Sequence, residues 1–271
     1  MIGSTNAFNR LKKEQQKLID FSVLICYAVP NLKKSIKGFE ESVPNYENLA
    51  KPEYFKEDTD VNRLKAVSRH YKENLGKYLL LSAFSFVEYY FRDVVDELIE
   101  FHGGKEKFIS NTQNRHKDSL KLENEEIEKR KRKLREPLKG AKWEKYKKQI
   151  SELKDIPTYR HPSELLASFG LKYFIESVGG SNFKSVMIPD ILENAFGIDL
   201  SEKVNKHPDL EDKDLKETFD YVRDLRNQIG HGNSSELGFN KAMDLIRYFR
   251  TLAVKIDSHL VKNFFVLERY N

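Results

Sequence analysis

Residues 79–100 read LLLSAFSFVEYYFRDVVDELIE. Leu80, Phe84, Val87, Phe91, Val94 and Leu98 recur every three or four positions, the repeat of a helix that buries one face. The pattern predicts a helix over about 75–102, stopped at His102-Gly103-Gly104 by glycine. Its most apolar part, residues 79–91, is interrupted by Glu88 and followed by Arg92 and Asp93. That is too short and too charged to span a bilayer, so a buried helix is expected and no membrane partner.

The same periodicity extends along most of the chain. Leu11, Leu18, Phe21, Leu24 and Ile25 predict a helix over 7–27, ending before Pro30, with a short basic segment at 31–41. Pro44 and Pro52 mark residues 42–58 as an irregular connection. Further helices are expected at 163–178, 185–196 and 211–229, the last with acidic residues in its first turn. A final helix over 237–266 carries Leu245, Ile246, Phe249, Leu252, Ile256, Leu260 and Phe264. No strand-like alternation persists, so the fold class is all-α. The expected organisation is one helical domain over 1–271, with a charged, basic insertion at 106–158.

That insertion holds the positive charge. The chain carries a formal net charge of +5, yet residues 115–148 alone hold fourteen Lys or Arg against seven Asp or Glu, a local excess of +7. Its centre is KRKRKLR: Lys129, Arg130, Lys131, Arg132, Lys133 and Arg135, with Leu134 between. A basic arm of this kind suits a phosphate backbone, with Trp143 and Tyr146 available to stack on bases. A solvated helical protrusion fits the same residues equally well.

Cys26 is the only cysteine, which excludes an internal disulfide and a cysteine-based zinc site and fits a reducing, cytoplasmic setting. No secretory signal is visible at the start. His70, His102, His116, His161 and His207 are scattered and make no metal-type spacing. His259 falls among apolar residues of the last helix, where a hydrogen-bonded structural histidine is expected. No metal site and no cofactor are expected, and no phosphate-cradling glycine loop is present.

RNQIGHGN, residues 226–233, is the constellation that carries chemistry. Arginine, four residues and histidine is by itself a weak pattern. An asparagine after the arginine and a glycine after the histidine sharpen it, and it closes one amphipathic helix just before another. On an ideal helix five positions turn about 500°, so Arg226 and His231 would diverge. They converge more easily if the helix ends near Gly230 and His231 sits in the cap. Glu88 is expected to play a structural part, either holding Arg226 or Arg223 or reaching solvent.

DLRNQIGHGN followed by a long helix, together with LLLSAFSFVEYYFRDVVDELIE, resembles the HEPN superfamily, in particular its RiboL-PSP-HEPN or MAE-28990-like branch. The resemblance covers residues 75–104 and 163–266; the N-terminal region and the basic stretch look like additions. It implies a helical bundle acting as a metal-independent endoribonuclease, in the manner of toxins and antiviral-defence effectors. It also implies that Arg226 and His231 form the active site with Asn227 assisting, in a homodimer that brings two motifs together. RNA is then the substrate, and an antitoxin or defence-system protein a partner. In HEPN toxins silenced by a partner nucleotidyltransferase, a tyrosine two residues past the histidine is modified; here that position is Asn233. The alternatives are a non-catalytic binding module for nucleic acid or protein, and a structural helical subunit of a larger complex.

Overall fold

The computed structural model describes residues 3–45, 60–110, 183–204, 210, 212–232 and 237–265. Helix α1 spans Asn6–Glu40, α2 Val61–Arg69 and α3 Tyr71–Phe101. A composite segment, α4, follows: a 3-10 turn at Ser185–Met187, an α turn at Ile188–Asp190 and a π turn at Ile191–Ala195. Helix α5 spans Leu215–Gly230 and α6 Phe239–Asn263. The fold is all-α; one isolated bridge, between Lys203 and Asp214, is the only extended pairing among the described residues. None of the described helices is long and apolar enough to cross a membrane.

The expected helix at 75–102 is present, and it is the centre of the molecule. Leu80, Ala83, Phe84, Val87, Tyr90, Phe91, Val94 and Leu98 are all essentially inaccessible to solvent. Phe84 touches two helices at once, with ring centroids 5.7 Å from Phe219 of α5 and 5.8 Å from Phe249 of α6. Gly103 and Gly104 then end the helix at φ of 91° and 97°, values that glycine tolerates and bulkier residues do not.

Helices α3 and α6 run side by side in the same direction. Gly76 faces Leu237 and Gly238, Phe84 faces Phe249, the Tyr90 hydroxyl donates to the Ala253 carbonyl, and His102 meets the Phe264 carbonyl. Gly76 makes the close start of this pair possible, because a Cβ there would stand 2.8 Å from the Leu237 carbonyl oxygen. Parallel neighbours need a long crossover, which the chain between residues 103 and 237 supplies.

Helix α1 lies antiparallel on α3. At one end Glu97 accepts from the backbone N–H groups of Asn6 and Ala7, and Arg10 pairs with Asp93. At the other end Lys33 sits over the Tyr71 ring. The expected break before Pro30 is not there: α1 continues through Pro30 to Glu40. A proline inside a helix costs about 3 kcal/mol through a lost hydrogen bond and a steric clash. Contacts beyond the proline offset that cost, since Ile36 is buried and Glu40 pairs with Lys65 of α2. Helix α2 itself is short, and of its nine residues only Ser68 is fully buried, so Val61 and Leu64 form too brief a stripe to betray it.

The expected helix at 185–196 is present as α4, but it loosens along its length. The Phe196 N–H reaches the Ile191 carbonyl five residues back, and Gly197 at φ 67° ends it. Residues 105–110, where the expected insertion at 106–158 would start, are helical, and Phe108 is buried, stacked on His102; the rest of that stretch lies outside the described residues. The expected helix at 163–178 lies outside the described residues.

Candidate functional site

The site is the C-terminal end of α5, and that helix is fixed at its start. Asp214 caps it by accepting from the Glu217 N–H at 2.8 Å, while the Glu217 carboxylate accepts from the Asp214 N–H at 3.1 Å. This reciprocal box places the start at Leu215, four residues later than the expected start at residue 211. Leu215, Thr218, Phe219, Val222 and Leu225 face the core, which turns the following Arg226 to the rim between α5 and α3.

The helix ends where the motif requires. His231 is the C-cap, at φ −87° and ψ 5°, and its backbone N–H donates to the Asn227 carbonyl at 2.9 Å. Gly232 follows in the left-handed region at φ 76°, with its N–H on the Ile229 carbonyl at 3.1 Å. A side chain at that φ would be strained, so the glycine after the histidine serves to turn the chain out of the helix. The final helix is capped by Gly238, without a side-chain cap; Asn233 lies outside the described residues.

Arg226 and Asn227 are brought together. The guanidinium Nη1 donates to Asn227 Oδ1 at 3.0 Å. Its Nη2 stands 3.8 Å from Glu88 Oε2, and its carbon lies 5.4 Å from the centre of the Phe84 ring. Both charged side chains are partly open to solvent, Arg226 at 35% and Glu88 at 23%. Of the two arginines considered for Glu88, Arg223 is occupied elsewhere, by Asp220 and Asp224. The His231 side chain is exposed and makes no hydrogen bond or ion pair with a described residue. The arginine pair and the histidine therefore share one helix end without touching.

Phe84 is the residue that sequence reasoning missed. It belongs to the apolar repeat of α3 and reads only as core, yet the Arg226 guanidinium lies over its ring. Nothing in the one-dimensional pattern distinguishes a core phenylalanine with a cation over it from one without.

His102 and His259 behave as structural groups, whereas His70 is exposed beside Glu73. His259 Nε2 lies 2.8 Å from the Phe196 carbonyl, and His102 Nε2 lies 2.8 Å from the Phe264 carbonyl. A carbonyl only accepts, so both rings carry their proton on Nε2. Burial holds His102 below the ordinary imidazole pKa, a tendency its hydrogen bond to Phe264 only partly offsets. Among the described residues no group of three His, Cys, Asp or Glu could hold a metal ion. Lys129, Arg130, Lys131, Arg132, Lys133 and Arg135 lie outside the described residues, as do Trp143, Tyr146, His116, His161 and His207.

No curated protein and no solved structure matches the sequence. A family model does, over residues 50–262, and its description is RiboL-PSP-HEPN. The match contains α2 to α5 and nearly all of α6, together with both stretches that carried the resemblance, and it leaves α1 outside. The chain belongs to the RiboL-PSP-HEPN family.

Proposed function

We propose that this protein is an endoribonuclease that cleaves RNA without a metal ion, and that it acts in growth arrest or antiviral defence. The observation that supports this best is the polar end of α5. A guanidinium is anchored beside Asn227 with donors to spare, and an exposed imidazole follows where the helix breaks. Family membership adds to it, since HEPN domains are often ribonucleases.

The chemistry needs little more. RNA carries its own nucleophile, the 2′-hydroxyl. Its oxygen attacks the adjacent phosphorus, the bond to the 5′-oxygen breaks, and the products are a 2′,3′-cyclic phosphate and a free 5′-hydroxyl. A proton must leave the 2′-oxygen and another must reach the 5′-oxygen, and imidazole is suited to both transfers. Arg226 offers N–H donors to the phosphate as charge accumulates. Asn227 holds one side of that guanidinium.

Because His231 and Arg226 do not meet within one chain, the reading includes a two-fold dimer in which two motifs face one cleft. One His231 then serves as base and the other as acid. Lys129 to Arg135 would hold the RNA backbone outside the cleft.

The decisive test is a substrate with a single 2′-deoxy nucleotide at the cut site. The all-RNA strand is expected to be cut in the presence of a chelator and the deoxy strand to resist, because its nucleophile is missing. Normal cleavage of the deoxy strand, or activity lost with chelator and restored by magnesium, would overturn the proposal.

A further inference from the structure

We infer that Glu88 of α3 is a positioning residue for Arg226, with Phe84 as the floor of the same seat. For its activity readout this rests on the ribonuclease reading above.

The geometry is specific. Glu88 and Phe84 are four residues apart on α3, so they present one face to α5. The guanidinium has three neighbours: Asn227 Oδ1 accepts from Nη1, the Glu88 carboxylate stands beside Nη2, and the Phe84 ring lies under the guanidinium carbon. An arginine side chain left to itself samples many rotamers, and a planar fork is useful to a phosphate only when its edge points the right way. Three contacts from two helices define that edge.

The spacing also leaves the donors free. A guanidinium has five N–H groups. Asn227 takes one. At 3.8 Å Glu88 is beyond hydrogen-bond reach, so it orients the charge without occupying a donor. The remaining donors suffice for a bidentate grip on a phosphate.

Glu88 is also placed where a carboxylate has little other reason to be. It interrupts the most apolar stretch of the chain, and among the described residues Arg226 is its ion-pair partner. A stabilising role is a poor explanation. The α3–α5 contact is made by Phe84 on Phe219, and an ion pair this open to solvent adds little to stability.

The test compares Glu88→Gln and Glu88→Ala, each alone and combined with Arg226→Lys, in the full chain. Three properties are read: melting temperature, kcat and KM for RNA cleavage, and the 15N NMR signals of the Arg226 guanidinium. Glu88→Ala is expected to lower kcat about tenfold or more at nearly constant KM, as misplacement of a reacting group does, with melting unchanged. Glu88→Gln should fall between it and wild type, since its carboxamide oxygen still faces Nη2. In the Arg226→Lys background, adding Glu88→Ala should change little, because lysine has no fork to aim. The Arg226 guanidinium signals, restricted in wild type, should average in Glu88→Ala.

Glu88→Ala that cuts like wild type overturns the inference and leaves the ribonuclease reading standing. So does an equal loss in both backgrounds. Faster cleavage would also overturn it, by showing that Glu88 competes with the phosphate. If the wild-type protein cuts no RNA, the ribonuclease reading falls and the NMR signals decide alone: restriction lost in Glu88→Ala supports the seat, and identical signals refute it.

Discussion

Two polar clusters flank α3, and they are finished to different degrees. At the start of α1, Asp257 of α6 accepts from both the hydroxyl and the backbone N–H of Thr5, and Thr5 and Asp257 are almost wholly buried. On α3, Glu88 meets Arg226, both only partly shielded from solvent and short of full hydrogen bonding. The first cluster spends its donors on its own chain. The second keeps donors in reserve. A buried group left unpaired costs about 1–3 kcal/mol, so a cluster in the core has to be complete. A cluster at the rim escapes that penalty because solvent can pair with the groups its own chain leaves unmatched.

Substitution should separate the two clusters sharply. At the rim, His231→Ala and Arg226→Ala are each expected to reduce RNA cleavage by about a hundredfold to ten-thousandfold. Stability should change by no more than about 0.5 kcal/mol for the exposed histidine. Cleavage kinetics set beside thermal melts would check this, and a matching collapse of both properties would erase the distinction drawn here.

In the core, Asp257→Ala is expected to do the reverse. It strands the Thr5 hydroxyl and N–H in a buried place and should cost about 2–4 kcal/mol of stability. Cleavage per folded molecule should hardly move. Urea titration with active-site normalised rates would show it. A variant as stable as wild type would mean that α1 needs no anchor at Thr5.

The smallest effect concerns pH. Burial depresses the pKa of His102, so the folded state prefers its neutral ring. The unfolded chain then binds more protons in the window from about pH 6.5 down to the depressed folded value, and stability should fall there on acidification. Asp257 acts in the opposite sense at lower pH. Burial raises its carboxyl pKa despite two hydrogen bonds from Thr5, so its contribution is complete below about pH 3.8 and is lost as pH rises through the raised value. His102→Gln, which can still donate to the Phe264 carbonyl, should flatten the upper part of this profile in thermal melts. An unchanged slope would remove His102 as its source.

Much of this arrangement could be read from the sequence, for a simple reason. Helices α3, α5 and α6 each bury one continuous stripe, and a stripe is a periodic signal. The end of α5 was equally legible, because Gly230, His231 and Gly232 carry the local chemistry of a helix stop. Other features depend on partners that a linear pattern does not contain. Helix α1 passes through Pro30 because Ile36 and Glu40 find contacts beyond it. Helix α2, at nine residues, is too short for its apolar spacing to register as a repeat. The choice of Arg226 over Arg223 as the partner of Glu88 depends on how α5 crosses α3, and Asp220 and Asp224 had already claimed Arg223. Within the site, the types and the order of the residues were legible, and so was the helix end at Gly230 with His231 in the cap; the convergence of His231 and Arg226 that such an end was expected to favour is not seen within one chain. The seat beneath the guanidinium was not.

The bond between Thr5 and Asp257 has a consequence for how the protein is made. It joins residues 252 apart. On the ribosome the N-terminal helix emerges early, but the carboxylate that secures its first turn is translated long afterwards. At about 5–20 residues per second, that interval is roughly ten seconds to a minute. Once α3 has followed, α1 has a helix to lie on, while its cap is unfastened and the parallel neighbour of α3 is missing. Helix α6, which completes the wall behind Phe84, is also the helix that closes the other end. Fastening of the first turn of α1 and completion of the packing around Phe84 are thus tied to one late event, and a nascent chain stopped short of α6 lacks both.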